Sequence, residues 1–174
     1  MSQITVNAVT SSNEALERLI QFKKDVHDEI SAKAFRLFQQ KGCQLSNELE
    51  DWVEAEREVL FCPPSELAET KDEIRIRAAV PGLGVRTMQV YALPNSITIQ
   101  GQMEAPKRSN DEKTHFSELT VKKVLRQLDL PALIDVKRVK ATLEDGILQI
   151  SAMKTAVADS PTVVELKVKG HNAA

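Results

Sequence analysis

Histidine, cysteine and carboxylate side chains most often bind metals or carry catalysis, and this chain has few of them in useful patterns. The three histidines, His27, His115 and His171, lie far apart and have no cysteine or carboxylate at ligand spacing. Cys43 and Cys62 do not form a C-x-x-C pair, and no histidine lies close to either thiol in the sequence. We therefore predict surface or capping histidines, no metal site, and thiols that are buried or half-buried, with redox sensing as the alternative for the thiols.

An acidic pair and a glycine-containing stretch are the remaining candidates for chemistry. Glu144 and Asp145 offer an acid and a base in principle, but adjacent carboxylates on a turn do not face one substrate. Asp-Gly at a hairpin instead supplies the positive φ of a tight turn. Pro81-Gly82-Leu83-Gly84 lacks the Lys-Ser/Thr ending of a phosphate loop, so we interpret it as a turn between strands. The sequence predicts no catalytic site and no cofactor, and hence a protein that is not an enzyme.

The composition excludes several classes of function. The 174 residues are 42% hydrophobic and 28% charged, which is typical of a globular chain with a buried core. A net charge of −2 gives no general attraction to nucleic acid or anionic lipid, and no apolar run approaches the roughly 20 residues of a membrane span. The N-terminus does not resemble a secretory signal, and two lone thiols suit a reducing compartment. We therefore expect a cytoplasmic protein with no nucleic-acid or membrane partner.

The first third of the chain has the periodicity of helices. Apolar residues recur at helical spacing from Leu16 to Phe38, and Gly42 is well placed to end that helix. A second helix is predicted from Ser46 or Asn47 up to Cys62-Pro63-Pro64, where proline cannot continue the hydrogen-bond ladder. Two helices cannot bury their apolar faces by pairing once. We therefore expect this hairpin to dock on the rest of the chain, on another subunit or on a partner.

From about residue 66 the period of the apolar residues changes to two, which is typical of β-strands. In EIRIRAAVPG, Ile74 and Ile76 point to one side and Arg75 and Arg77 to the other. Short strands of this kind, without helices between them, predict an immunoglobulin-like antiparallel β-sandwich. The predicted fold is mainly β with a two-helix hairpin before the sandwich. We divide the chain into a helical N-terminal region, a sandwich domain and a C-terminal extension, at residues 1–62, 66–154 and 155–174.

Two features do not fit a plain sandwich. Arg126 shares strand parity with Val124 and Leu128, so an inward-facing guanidinium would need a carboxylate partner. Near the C-terminus, Val164 and Leu166 alternate with charged residues after a polar linker. This short strand either extends a sheet or docks as a peptide on an edge groove, and composition alone leaves both interpretations open.

Several motifs together resemble the small heat shock protein family (Hsp20, with its α-crystallin domain). The family signature A-x-x-x-x-G-[IV]-L is matched by Ala141, Gly146, Ile147 and Leu148. The A-x-[VL]-P-G motif is matched at residues 78–82, and E-R-x-x-G-x-F-x-R-x-x-x-L-P is matched in part by Glu118, Val124, Arg126, Leu130 and Pro131. Val164-Glu165-Leu166 is similar to the C-terminal I-x-I anchor. The resemblance covers about residues 66–168.

The N-terminal region departs from that family, which usually has a disordered, aromatic-rich arm there. AFRLFQQKGC followed by DWVEAERE instead resembles a short helical bacterial domain of unknown function, and only 4% of the residues are aromatic. That similarity suggests a bacterial source and transfers no activity. It is carried by Ala34, Phe35, Leu37, Gly42, Asp51, Trp52, Ala55 and Glu56.

The family resemblance implies a function and a set of partners. It implies an ATP-independent holdase chaperone that binds partly unfolded proteins and prevents their aggregation, assembled as a homo-oligomer from dimers. A different hypothesis is a non-enzymatic protein-interaction adaptor or co-chaperone that uses the same sandwich as a passive binding module. Both hypotheses place binding, rather than catalysis, on the sandwich.

The resemblance also implies roles for particular residues. Val164 and Leu166 would anchor the tail in a groove of a neighbouring subunit, and that groove would be lined by Val139, Ala141 and Leu143. Arg126 and Glu118 would lie at the dimer interface.

Overall fold

The computed structural model describes residues 2–9, 14–43, 47–103, 115–116 and 120–155. Within these residues the chain forms two helices, α1 (Glu14–Gln40) and α2 (Glu48–Val59). It also forms ten strands, namely β1 (Ser2–Ile4), β2 (Val6–Ala8), β3 (Leu60–Phe61), β4 (Ser65–Glu69), β5 (Glu73–Ala79), β6 (Met88–Leu93), β7 (Ser96–Gln102), β8 (Lys123–Asp129), β9 (Ile134–Glu144) and β10 (Ile147–Lys154).

The strands form two five-stranded sheets that face each other across one apolar core. Their orders are β1-β9-β10-β5-β4 and β2-β6-β7-β8-β3. Strands β4 to β10 pair with antiparallel neighbours, which confirms the predicted sandwich. Two short edge strands add parallel pairs to these sheets, since β2 pairs in parallel with β6 and β3 with β8. Both short strands come from the N-terminal region, where the sequence analysis predicted helices.

The hairpin between β9 and β10 turns at the Asp-Gly pair, as predicted. Asp145 and Gly146 have φ of 49° and 74°, the two positive values that a two-residue type I′ turn needs. The carbonyl of Gly146 accepts a hydrogen bond from the Val80 N–H at 2.8 Å. The two motifs that resemble the family, residues 78–82 and 141–148, are therefore joined side by side in the fold.

The helical hairpin ends and packs largely as predicted. The Gly42 N–H donates to Gln39 O at 3.2 Å and the Cys43 N–H donates to Phe38 O at 3.0 Å, which is the Schellman pattern at a helix end. The two helices share a small apolar core made of Val26, Ile30, Ala55 and Val59. Trp52 is partly buried and packs against this core.

The hairpin docks on the outer face of the second sheet. Leu19 of α1 packs with Val9 and with Tyr91 of β6, and all three side chains are buried. This burial raises the pKa of Tyr91. The Lys123 ammonium lies 2.7 Å from a Glu29 carboxylate oxygen and ties β8 to α1. The expected docking surface of the helices is therefore the chain's own sandwich.

A glycine in β7 marks a close approach between neighbouring segments. A Cβ on Gly101 would lie 2.5 Å from the Thr87 carbonyl oxygen and 3.2 Å from the Met88 Cα. Gly101→Ala is therefore expected to lower the free energy of unfolding by about 1–3 kcal/mol, since backbone atoms have to move. Urea unfolding at fixed protein concentration measures the loss. Gln102→Ala, at the exposed next position, is the control and should stay within about 0.5 kcal/mol of the wild type; equal stability of the two variants would contradict the close approach.

Candidate functional site: the groove between the two sheets

The N-terminal segment, residues 2–9, lies along a groove between the edges of the two sheets. Its first part, β1, pairs antiparallel with β9, so that Ile4 lies opposite Ala141. Its second part, β2, pairs in parallel with β6, so that Val6 lies opposite Val90. The Val9 N–H then donates to Ala92 O at 2.9 Å. One short segment thus bridges β9 of the first sheet and β6 of the second.

Apolar side chains of this segment fill the groove. Ile4 is only 3% exposed and belongs to the same buried cluster as Ala141. Val6 is half-buried against that cluster, as are Val139 and Leu143. These wall residues are the ones that the family resemblance proposed as the anchor-accepting groove. In this structure the strand beside them is the chain's own N-terminus.

These N-terminal strands differ from the prediction, which placed residues 1–62 in a helical region. A signal was present, since Ile4, Val6 and Ala8 alternate with the polar residues Thr5 and Asn7. Docking of Val164 and Leu166 in the groove stays a prediction, because both lie outside the described residues.

The signature residues build the wall of the groove and the adjoining turn. Ala141 and Leu148 are buried in the core, 1% and 0% exposed. Ile147 lies opposite Ala79 and is partly exposed, while Gly146 sits in the turn. The signature therefore fixes the β9–β10 hairpin next to the groove, and its residues offer no chemical group of their own.

Arg126 has a different partner from the one predicted. It lies in β8 opposite Ile99, and its Nη1 donates to the Cys62 Sγ at 3.1 Å. This contact arises because β3 runs parallel to β8 and brings Cys62 next to the guanidinium. A carboxylate partner for Arg126 is absent from the ion pairs of the residues that the structure describes, and it stays a prediction. Both Cys62 and Cys43 are exposed, so the prediction of buried or half-buried thiols is wrong.

One donor of the Arg126 guanidinium has no partner among the residues that the structure describes. Its Nε is buried and makes no hydrogen bond within the described residues. An unpaired buried donor is costly and calls for a partner group. Glu118, the other residue predicted at the dimer interface, lies outside the described residues, and the interface role of both residues stays a prediction.

The strand that forms the groove's wall carries a basic exposed side. Lys137, Arg138 and Lys140 are exposed along β9. The Lys137 backbone N–H and the Arg138 guanidinium both donate to the Asp135 carboxylate, and this lowers its pKa. Asp135 therefore stays ionised at neutral pH, and its stabilising contribution is lost only as the pH falls through its lowered pKa. The positive charges that remain favour an acidic group on a strand docked here.

The described residues hold no group of three or more His, Cys, Asp or Glu side chains that could bind a metal ion. Over the same ranges, neither helix is long and apolar enough to cross a membrane. On the outer face of the second sheet, the buried side chains of Tyr91 and Gln100 are hydrogen-bonded to each other: the Gln100 amide donates to the Tyr91 hydroxyl at 3.1 Å, and that hydroxyl donates to Oε1 of the exposed Gln89 at 2.5 Å.

Comparison with known proteins agrees with this geometry. The sequence profile of the Hsp20/alpha crystallin family matches residues 66–169. A second profile, a protein of unknown function (DUF2934), matches residues 25–60, which include most of α1 and all of α2. The N-terminal similarity predicted from the sequence is therefore confirmed, and it assigns no activity to the hairpin.

The curated relatives are distant in sequence and match only part of the chain. Spore protein SP21 of Stigmatella aurantiaca is 28% identical over 94 residues, 54% of this chain and 56% of that protein. Small heat shock protein C4 of Rickettsia felis is 26% identical over 95 residues, 55% of this chain and 58% of that protein. The chain thus spans about half the length of these curated relatives.

Among solved structures, heat shock protein 16.0 from Schizosaccharomyces pombe overlaps 66% of this chain and 98% of its own, with a TM-score of 0.49 and 23% identity. The family profile extends over more than half of the chain and includes both motifs that meet at the β9–β10 hairpin. The chain belongs to the Hsp20/alpha crystallin family.

Proposed function

We propose that the chain is an ATP-independent holdase chaperone that binds partly unfolded proteins and prevents their aggregation. The observation that carries this proposal is the groove between β9 and β6 in a chain of the Hsp20/alpha crystallin family. That groove already accepts one short apolar strand, Ile4 to Val6, through backbone pairing and side-chain burial.

Strand addition gives a physical basis for binding many different clients. An exposed sheet edge pairs with the backbone of any extended peptide, and pockets between the sheets take its alternate apolar side chains. Partly unfolded proteins expose such segments transiently and aggregate through them. A chain that occupies those segments reversibly needs no nucleotide, because nothing has to be driven against equilibrium.

We further propose a homo-oligomer built from dimers. Val164 and Leu166 of one copy would dock in the groove of a neighbour that is lined by Val139, Ala141 and Leu143. The exposed lysines beside the groove suit Glu165, which lies between the two apolar tail residues. Arg126 and Glu118 would lie at the dimer interface. The buried Nε of Arg126 has no acceptor among the described residues, which supports an additional acceptor there.

We place the protein in the reducing cytoplasm, with unfolded proteins as its partners. Both cysteines are free and exposed, which suits a compartment that keeps thiols reduced. A net charge of −2 does not favour nucleic acid or an anionic membrane as a partner.

A second candidate is the adaptor or co-chaperone. The helical hairpin packs on the sandwich through Leu19 and Tyr91, in the place where the family usually has an aromatic-rich arm. A folded, docked N-terminal region favours a defined binding module over a chaperone with a client-binding arm. The two functions differ in whether the chain alone protects an unfolding protein.

Light scattering of a heat-labile enzyme separates these two functions. We expect the chain, at equimolar subunits and without nucleotide, to suppress the rise in scattering on heating, because bound clients are withheld from aggregation. Added ATP should change nothing, and an equal mass of serum albumin serves as the control. Scattering as high as in the albumin sample would contradict the holdase and favour the adaptor.

A further inference from the structure

Few contacts hold the N-terminal strands β1 and β2 in the groove. Strand β1 makes three residue pairs with β9, and β2 makes three with β6. Of the five side chains from Ser2 to Val6, Ile4 alone is buried, while Ser2, Gln3 and Thr5 are exposed. Strands of three residues are marginal on their own, and their pairing is lost at modest cost. Such an occupant is displaceable.

The chain carries two segments of the same kind for this one edge. Ile4-Thr5-Val6 and Val164-Glu165-Leu166 each place branched apolar side chains two residues apart, so both fall on one face of a strand. One side of β9 already pairs with β10 from Val139 to Glu144. Only the other side is available to a further strand, and there Ile4 pairs with Ala141. Two strands cannot pair with the same backbone groups at once.

We propose that residues 2–8 are an intrachain cap that competes with the 164–166 strand of a second copy for the β9 edge. This inference rests on the proposed function, because it assumes that the groove is the chain's strand-accepting site. In the capped state the backbone of the β9 edge is paired with β1, and Ile4 covers the apolar wall of the groove. Release of the cap exposes that wall to the tail of another copy or to a client.

The cap has a quantitative consequence for binding. A ligand of the groove binds only the uncapped fraction, so its apparent dissociation constant rises in proportion as that fraction falls. Locking the cap on should abolish binding, and removing it should strengthen binding. A variant that fixes the cap in place and a variant that releases it therefore test the same equilibrium in opposite directions.

A disulfide across β1 and β9 provides the lock. Gln3 and Thr142 are paired residues of the two antiparallel strands, at a spacing that suits a disulfide. The variant Gln3→Cys/Thr142→Cys is made in the full chain with Cys43→Ser and Cys62→Ser, and with Val164→Gly and Leu166→Gly so that the tail does not compete. Fluorescence polarisation then measures binding of a labelled peptide of residues 160–170. We expect at least about tenfold weaker binding in the oxidised form, restored by dithiothreitol.

A charge in the cap provides the release. Ile4→Asp, in the same tail-substituted chain, places a carboxylate against the apolar wall and should tighten peptide binding. Thr5→Asp is the matched control, because it adds the same charge at the exposed next residue and should bind like the parent. Equal binding by the oxidised and reduced lock would overturn the cap. Absence of peptide binding in the reduced lock and in Ile4→Asp would overturn it as well.

The outcome is separable from that of the proposed function. If the lock blocks peptide binding but the wild-type chain does not suppress aggregation, the holdase proposal fails and the cap stands. If the wild-type chain suppresses aggregation but the lock has no effect on the peptide, the cap alone fails.

Discussion

Replacing both Val164 and Leu166 with glycine should reduce the native mass of the assembly to that of a dimer. Burial of one Val or Leu side chain contributes about 1.5–3 kcal/mol, so loss of both weakens tail docking by about 3–6 kcal/mol. That loss corresponds to roughly a hundred-fold to ten-thousand-fold in affinity, which is enough to dissociate larger assemblies at micromolar concentration. Light scattering after size-exclusion chromatography measures the mass.

The same tail supplies the matched control. Glu165 and Lys167 alternate with the two anchor residues, so Glu165→Ala/Lys167→Ala changes the tail without removing its apolar side chains. This control should keep the larger mass of the wild type or lose only a minor part of it. An unchanged mass of the glycine variant would contradict tail docking in the groove.

Leu19→Ala should produce the largest loss of stability outside the sandwich core. Leu19 is 4% exposed and packs with Val9 and Tyr91, where the helical hairpin meets the second sheet. Truncating a buried leucine costs about 2–5 kcal/mol, from lost burial and from the cavity that remains. The free energy of unfolding is measured in urea at one fixed protein concentration, since assembly adds to apparent stability.

The neighbouring residue in the same helix is the control for this change. Ile20 is 57% exposed, so Ile20→Ala removes a similar side chain from the solvent side of α1. It should stay within about 0.5 kcal/mol of the wild type. Similar losses in the two variants would contradict docking of α1 on the sheet through Leu19.

The strands of the sandwich were predictable because burial on one face leaves a period of two. In β5, Ile74 and Ile76 are buried and Arg75 and Arg77 are exposed, as the alternation indicates. The β9–β10 turn was predictable for a local reason as well, since Asp145-Gly146 suits a type I′ turn. Strand β7 did not follow the same rule, because its polar residues Thr98 and Gln100 are also buried. Helix α1 lies on that side of the sheet, where Leu19 packs with Tyr91 of β6 and the Lys23 ammonium donates to Gln127 of β8.

The occupant of the groove was not predictable from local pattern. Apolar and polar residues alternate from Ile4 to Ala8, but this alternation does not indicate that the segment pairs with β9 and β6, which lie more than 80 residues away in the sequence. The neighbour of Arg126 escaped prediction in the same way, since Cys62 reaches it only through the parallel pairing of β3 with β8. Pairing between strands far apart in the sequence determines the neighbours at both sites, and such pairing is hard to predict from a single sequence.

Hydrogen–deuterium exchange with a bound client tests most directly whether the groove takes strands from other proteins. The full chain is measured alone and in complex with a heat-unfolded enzyme, and uptake is compared by segment. We predict faster exchange in residues 2–8, because the client displaces β1 and β2, and no faster exchange in residues 139–143, because the client pairs with β9 in their place. Residues 48–59 of α2 serve as the internal reference. Identical uptake in residues 2–8 with and without client would contradict the account.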